Sequence, residues 1–302
     1  MSQTAVVTGA STGIGHATTK VLTEKGFHVF AGIRKDEDAQ RLKSEFGDRV
    51  TPLKMDVTEA ATLKAAADRV RAALGQSTLD GLVCNAGIAV AGPLLHIDIA
   101  EVSKQLDINV LGVLRTVQAF APLLGAEDGR IGQPGRIVMM SSVAGKMGMP
   151  FVGPYAASKH ALEGLTKSLR KELGLYGIGC VIIGPGAVAT PIWDKAEEID
   201  VEQYSDTDYV PAMKRVMAWM QDRGPKGLPP EHIGRRVHDA LTSDSPRLRY
   251  AEVPQRLMNW SIPRLLPEKV VDAQVMKQIG LRPEDRGAAR TDRQSDEKRS
   301  DG

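Results

Sequence analysis

Residues 6–18 read VVTGASTGIGHAT. A strand-like apolar run ends in a turn bearing Gly9, Gly13 and Gly15, and the turn opens a segment whose apolar residues Ile14, Ala17 and Val21 recur at helical spacing. Glycines at such a turn allow it to be tight and let backbone approach a pyrophosphate closely, at the positive end of the helix that follows. The spacing is G-x-x-x-G-x-G, not the G-x-G-x-x-G of other dinucleotide folds, and a lone glycine pattern is equally a plain tight turn. Its strand-turn-helix setting favours a cofactor site.

Working outward, short apolar runs alternate with helical patterns along the chain. The strands read TAVVT from Thr4, HVFAGI from His28, VTPLKM from Val50, GLVCN from Gly81, RIVMMS from Arg136, GCVIIG from Gly179 and LRYAEV from Leu248. Helical periodicity lies between them, as in Leu63, Ala67, Val70 and Leu74, or Val110, Val113, Leu114 and Val117. Gly26 stops the first helix, Thr58 caps the third, and Asp98 with Glu101 gives a capping-box pattern before the helix of Asn109. Six or seven strands alternating with helices predict one α/β domain with a doubly wound, Rossmann-like parallel sheet over residues 1–253.

Three segments depart from this regularity. Residues 125–135, GAEDGRIGQPG, read as a surface insertion. Residues 187–228 gather Trp193, Tyr204, Tyr209, Met213, Met217, Trp219 and Met220 in a chain with only 4% aromatics. A packing segment or a flap over a cleft has this composition, and its place directly after a strand end favours the flap. Residues 254–281 form a helical extension. From Arg282 to Gly302 no aliphatic residue exceeds alanine, so a disordered tail is expected.

The bulk numbers exclude several classes. At 302 residues and 42% hydrophobic content the chain can bury a large core, and a net charge of +2 with dispersed basic residues gives no nucleic-acid stripe. Cys84 and Cys180 sit in apolar runs and read as core thiols, which predicts a reducing, cytoplasmic setting. No signal peptide and no spanning segment are expected. The six histidines show no ligand spacing, so no metal is predicted.

After the second strand, where an acidic residue would accept a bond from a free ribose 2′-hydroxyl, the chain places Arg34 and Lys35. Two cations suit a 2′-phosphate and favour NADP(H) over NAD(H), although solvated loop charges are the plain alternative and Asp36 is within reach of a ribose.

A second stretch, residues 141–164, reads SSVAGKMGMPFVGPYAASKHALEG. Tyr155 and Lys159 are one helical turn apart and face the same way. A cation about 4 Å from a phenol, at an effective dielectric near 20, is worth on the order of 4 kcal/mol, enough to lower the phenol by about three units to near 7. That is the working range of a proton shuttle. With Ser142, Asn109 and the glycine turn also present, a catalytic set outweighs an ordinary exposed helix pair.

The ordered motifs TGASTGIG (Thr8–Gly15), CNAG (Cys84–Gly87), INVLG around Asn109, SSVAG around Ser142, YAASK and PGAVAT (Pro185–Thr190) resemble the short-chain dehydrogenase/reductase family over about residues 4–192. Ser142 precedes Tyr155 by 13 positions, the family's separation. The resemblance implies that Tyr155 is the general acid/base, that Ser142 polarises the substrate oxygen, that Lys159 holds ribose hydroxyls and lowers the tyrosine pKa, and that Asn109 supports a proton-relay water. It further implies a cofactor bed of Thr8, Gly9, Ser11, Thr12, Gly13, Ile14, Gly15, Arg34, Lys35, Asp56, Val57, Asn85, Ala86, Gly87, Tyr155, Lys159, Pro185, Gly186 and Val188, with Thr190 at the carboxamide. Cys84 stands where many members carry a second asparagine, as it does in some hydroxysteroid and retinol dehydrogenases.

The extension at 254–281 and AGIRKDEDAQRL after the second strand resemble the hydroxysteroid- and retinol-dehydrogenase branch. An apolar cap fits an apolar small-molecule substrate, steroid-, retinoid- or lipid-like. For the extension, packing on the core is favoured over resting on a membrane. The resemblance implies a homodimer or homotetramer. The expected activity is NADP(H)-dependent interconversion of an alcohol with a ketone or aldehyde. The alternatives are a cofactor-binding regulator without turnover, which the same fold supports, and a reductase of small or acyl-bound ketones.

Overall fold

The computed structural model describes residues 2–191 and 200–286. Seven strands form one all-parallel sheet in the order β3-β2-β1-β4-β5-β6-β7: β1 Thr4–Val7, β2 His28–Ile33, β3 Val50–Lys54, β4 Gly81–Cys84, β5 Arg136–Met140, β6 Gly179–Pro185 and β7 Arg249–Glu252. Each falls within a run expected from the sequence, except that β6 extends one residue further, to Pro185. Strands buried on both faces read as unbroken apolar runs, which is why His28–Ile33 and Gly179–Pro185 are buried almost throughout.

Helices cover both faces. On one side α3 (Ala60–Leu74), α5 (Gly112–Phe120) and α6 (Gly153–Glu172) pack Leu63, Val70, Val113, Val117, Leu162 and Leu169 onto Leu82, Ile137 and Ile182. On the other, α1 (Gly13–Glu24), α2 (Asp36–Phe46) and α8 (Pro230–Thr242) pack Leu22, Leu42, Ile233 and Val237 onto Val7, Val29, Val83 and Val181. α4 (Ile99–Leu106) runs into α5 through a wide π-type turn, Asp107–Leu111.

Asp98 caps α4 by accepting from the Ala100 N–H at 2.8 Å, whereas Glu101 pairs with Lys104 at 3.3 Å instead of reaching back to close a box. Thr58 does not cap α3. The helix begins at Ala60, and the Thr58 hydroxyl donates instead to the Asp56 carboxylate at 2.7 Å, a nearer and charged acceptor.

The segment after β6 leaves the sheet and returns to it. Ala189 N–H donates to the Leu228 carbonyl at 3.0 Å and Leu228 N–H to the Ala187 carbonyl at 2.9 Å, so the base of the expected flap is stitched shut. Trp193 lies outside the described residues. Within the excursion, α7 (Val210–Arg223) turns Ala212, Met213 and Val216 into a third apolar cluster with Phe151, Tyr204 and Ile279. Ile279 comes from α9 (Glu268–Ile279), the helix of the C-terminal extension.

Only part of that extension packs on the body: Trp260 and Ile279 are buried, while Leu257, Met258 and Leu265 are exposed. The tail departs from expectation at its start. Pro283–Asp285 form a 3-10 turn closed by reciprocal bonds between Arg282 and Asp285, and Arg286 reaches Asp208 at 3.5 Å. Local polar bonds order these residues without any apolar burial. The tail from residue 287 lies outside the described residues.

Candidate active site

β1 and β4 are neighbours, and the chain departs from them toward opposite edges of the sheet. In such sheets a crevice opens beyond the strand C-termini at this point, and the glycine turn and the Cys84–Gly87 loop both lie there. Gly9 and Gly13 have φ of +64° and +56°, a region that L side chains rarely adopt. A Cβ on Gly15 would run into the Gly9 carbonyl and lie 2.6 Å from Asn85 Nδ2.

Thr8 ties the two loops together. Its hydroxyl accepts from the Asn85 and Ala86 N–H groups, each at 2.9 Å, and Asn85 Nδ2 donates to the Thr8 and Gly9 carbonyls. Thr12 is the N-cap of α1 but makes no side-chain capping bond, so the first-turn N–H groups face the crevice without an internal acceptor. A cradle of glycine backbone at an uncapped helix N-terminus fits a pyrophosphate. Ile14 packs into the core below.

Gly87 brings the two distant members of the set together. A Cβ there would lie 3.0 Å from Asn109 Oδ1 and 3.8 Å from Lys159 Nζ. Asn109 is fully buried in the π-type turn, where its Oδ1 accepts from Ile88 N–H at 2.9 Å and its Nδ2 donates to the Ile88 carbonyl at 2.9 Å and to Ser158 Oγ at 3.0 Å. Wide turns of this kind recur at functional sites because they re-aim one side chain within a helix.

Tyr155 lies in the first turn of α6 with Ser142 against its hydroxyl, and the Lys159 ammonium is 5.6 Å from its ring centroid. Ser142 Oγ accepts from Ala144 N–H at 3.1 Å and donates to the Pro185 carbonyl at 3.4 Å. The expected lowering of the phenol is not found in the protein alone. Burial pushes Tyr155 above its usual value despite the bond from Ser142, and burial draws Lys159 down to about 8. The Lys159 ammonium is engaged elsewhere: Nζ donates to the Met140 carbonyl at 2.9 Å and lies 5.6 Å from the Tyr155 ring centroid.

Beyond β2, Arg34 is exposed and its charge reaches Asp56. Burial acts against the Asp56 carboxylate, but bonds from Thr58 and the Arg34 charge leave it below the usual range. Lys35 is the N-cap of α2, and Val57 packs on Gly112 below Asn109, where a Cβ would meet Val57 Cγ2 at 2.7 Å. Asp36 is held by Lys54 at 2.8 Å.

Arg41, absent from the sequence reading, donates from Nη2 to the Ser11 carbonyl at 2.6 Å and adds a third cation beside the glycine turn. It lies within α2, seven positions beyond Arg34, which precedes the helix, so no helical spacing from Arg34 marked it in the sequence. On the opposite side, Pro185 ends β6, Gly186 N–H donates to the Glu252 carbonyl at 2.8 Å, Val188 is buried, and Thr190 lies about one van der Waals contact from Gly13.

An apolar pocket lies just before α6. Phe151 and Val152 line it with Ala91 and with Met213, Met217 and Met220 of α7. Phe151 carries a φ of +66°, a strained conformation for a non-glycine residue, and its carbonyl accepts from Gly92 N–H at 2.7 Å.

Comparison with known proteins agrees with this arrangement. Residues 3–200 match the family model of the short chain dehydrogenases. The chain is 35% identical over 268 residues to the NADPH-dependent 3-dehydrocapnine reductase of Ornithobacterium rhinotracheale, covering 89% of this chain and 94% of the relative. It is 31% identical over 263 residues to estradiol 17-beta-dehydrogenase 2 of Mus musculus, covering 81% of this chain and 66% of the relative. A Burkholderia phymatum short chain dehydrogenase/reductase in complex with NAD shares the fold, with a TM-score of 0.74 at 24% identity over 90% of this chain and 95% of that one. Motif order, sheet topology and a family match over most of the chain lead to one assignment: the protein belongs to the short-chain dehydrogenase family of NAD(P)-dependent oxidoreductases.

Proposed function

We propose that the protein interconverts an apolar alcohol with its ketone or aldehyde, using NADP(H) in preference to NAD(H), with Tyr155 as general acid/base. The observation that carries this is that Asn109 and Lys159 meet at Gly87, with the Lys159 ammonium over the Tyr155 ring and Ser142 against the Tyr155 hydroxyl. When bound, the nicotinamide group supplies or accepts the hydride.

The chain's own residues do the rest. The glycine backbone at 9–15 and the α1 N-terminus hold phosphate, Asn85 to Gly87 and Pro185 to Thr190 form the walls of the bed, and Asp56 with Val57 flanks the adenine. Ser142 Oγ, already against the Tyr155 hydroxyl, donates to the substrate oxygen and fixes it within reach of that hydroxyl. Tyr155 then gives or takes the proton at this oxygen. Lys159, released from the Met140 carbonyl toward a ribose hydroxyl, brings its charge to the phenol and favours the phenolate; Asn109, on the Lys159 side of Gly87, holds the water that returns the proton.

Three observations support NADP(H). Arg34, Lys35 and Arg41 cluster at the end of β2 and beside Ser11, Asp36 is engaged by Lys54, and the Ornithobacterium relative is NADPH-dependent. The exposed Leu257, Met258 and Leu265 and the pocket at Phe151 support an apolar substrate.

The test follows absorbance at 340 nm with NADPH and NADH against steroids, retinoids and simple ketones. Tyr155→Phe should lower turnover by about 10²–10⁴ while leaving cofactor binding intact, the range for loss of a positioned acid/base. Arg34→Ala should raise the Michaelis constant for NADPH far more than for NADH. Full turnover by Tyr155→Phe would sink the mechanism, and cofactor binding without oxidation of the reduced cofactor by any substrate would favour a regulator.

A further inference from the structure

A buried ionic cluster lies directly behind the serine and has no part in the chemistry described so far. Glu163, one turn beyond Lys159 on α6, is 1% exposed. Its Oε1 accepts from Ser141 Oγ at 3.1 Å and from Arg249 Nε at 2.8 Å, and its Oε2 meets Lys146 Nζ at 2.7 Å. Arg249, the first residue of β7, also donates from Nη2 to the carbonyl of Ser142 at 3.3 Å. Its guanidinium stacks 4.6 Å from the ring centroid of buried Trp260, which Arg264 covers from 4.7 Å.

We propose that Arg249, anchored by Glu163 and covered by Trp260, is the positioning residue that fixes the Ser142 loop on the helix carrying Tyr155 and Lys159. This rests on the oxidoreductase reading above. Glu163 and Arg249 together hold both residues of the Ser141–Ser142 pair, one through its side chain and the other through its backbone. Lys146 closes the far end of the same loop.

Two surrounding glycines leave room for this arrangement. A Cβ on Gly184 would lie 2.5 Å from Arg249 Nη2, and one on Gly145 would lie 2.7 Å from Ser141 Oγ and 3.0 Å from Glu163 Oε1. Burial opposes the Glu163 charge, and the bonds from Lys146 and Arg249 outweigh it, so the carboxylate stays ionised and the cluster stays tied. A planar guanidinium can make both bonds while stacking on an indole; an ammonium cannot. Through Trp260, the C-terminal extension becomes part of the catalytic geometry.

The test compares Glu163→Gln, Arg249→Lys, Trp260→Leu and the double variant Glu163→Gln/Arg249→Met with the wild type. The double variant removes both charges and so avoids leaving one buried and unpaired. Hydrogen exchange is followed at residues 141–146, whose Ser141, Gly145 and Lys146 amides are all bonded in the fold. NADPH affinity is read by fluorescence and turnover with all-trans-retinal and estrone as probes.

Each variant should speed exchange at 141–146 by tenfold or more, leave exchange at 4–33 and NADPH affinity within threefold, and lower kcat by 10- to 100-fold with KM little changed. Unchanged exchange at 141–146 would overturn the proposal, as would a freed loop with full kcat, or exchange that rises equally everywhere. The wild type and Tyr155→Phe are measured alongside: a wild type that turned over neither probe would defeat the oxidoreductase reading and a Tyr155→Phe variant with full turnover the role of Tyr155, while the exchange result, which needs no substrate, would still judge this one.

Discussion

Lys159 is the residue whose environment says most about the site. Its ammonium is buried, is satisfied by the Met140 carbonyl, and is drawn from 10.5 down to about 8 by burial. Between these values the unfolded chain keeps a proton that the folded protein has shed, so stability rises with pH across that window and the gain is lost as pH falls through 8. At 1.36 kcal/mol per unit, the wild type should gain about 2 kcal/mol over Lys159→Met between pH 7 and pH 10. Urea unfolding of both proteins at the two pH values measures it, and a flat difference would mean an ordinary lysine. That Ser142, Tyr155 and Lys159 come together was readable in the sequence, because they lie within one short stretch. The direction of the Tyr155 shift was not, because it depends on burial by segments far along the chain and on which acceptor the lysine chooses. Arg249 was invisible for the same reason: it meets Glu163 across 86 positions.

At the scale of elements, all seven strands were legible, since a strand buried on both faces needs a continuous apolar run and little else can use one. Helix ends were less so. Thr58 competes between capping α3 and bonding Asp56, and only the fold brings the carboxylate near enough to win. The π-type turn at Asp107–Leu111 leaves no periodic mark at all. The turn between β1 and α1 makes a sharper test of how sequence sets an element. At Gly15 a methyl group has nowhere to go, between the Gly9 carbonyl and Asn85 Nδ2, whereas at Gly164 in α6 nothing lies within 4 Å of the added carbon. Gly15→Ala should therefore cost about 1–3 kcal/mol, as overpacking does, and weaken NADPH binding at least tenfold by displacing Gly9. Gly164→Ala should instead stabilise by about 0.5–1 kcal/mol through helix propensity. Thermal melts with and without NADPH decide both, and equal effects of the two substitutions would contradict the geometry.

Across the whole molecule, the apolar residues sort into two clusters on the faces of the sheet and a third, outside it, built from α7, α9, Phe151 and Tyr204. The third cluster shares no core residue with the sheet, and the excursion that contains α7 is tied down at its base by the Ala187–Leu228 and Ala189–Leu228 bonds. A unit attached in this way can open by itself, with the sheet intact, at a cost below that of global unfolding. Ile279, 8% exposed, is the buried side chain of α9 in the cluster with α7. Ile279→Asp places a charge in that contact and should remove about 2–4 kcal/mol from the cap alone, comparable to loss of a buried aliphatic side chain. Cleavage by a protease acting on the open cap should then accelerate between residues 200 and 225 by tenfold or more, with the main thermal transition shifted by only a few degrees. Because the cap also supplies Met213, Met217 and Met220 to the pocket of Phe151 and Val152, just before Tyr155 in sequence, the same variant should raise KM for bulky apolar carbonyl compounds more than for small ketones. A main transition that fell together with the rate of cleavage would show instead that cap and sheet fold as one unit, and that access to Tyr155 is not gated by opening of the cap.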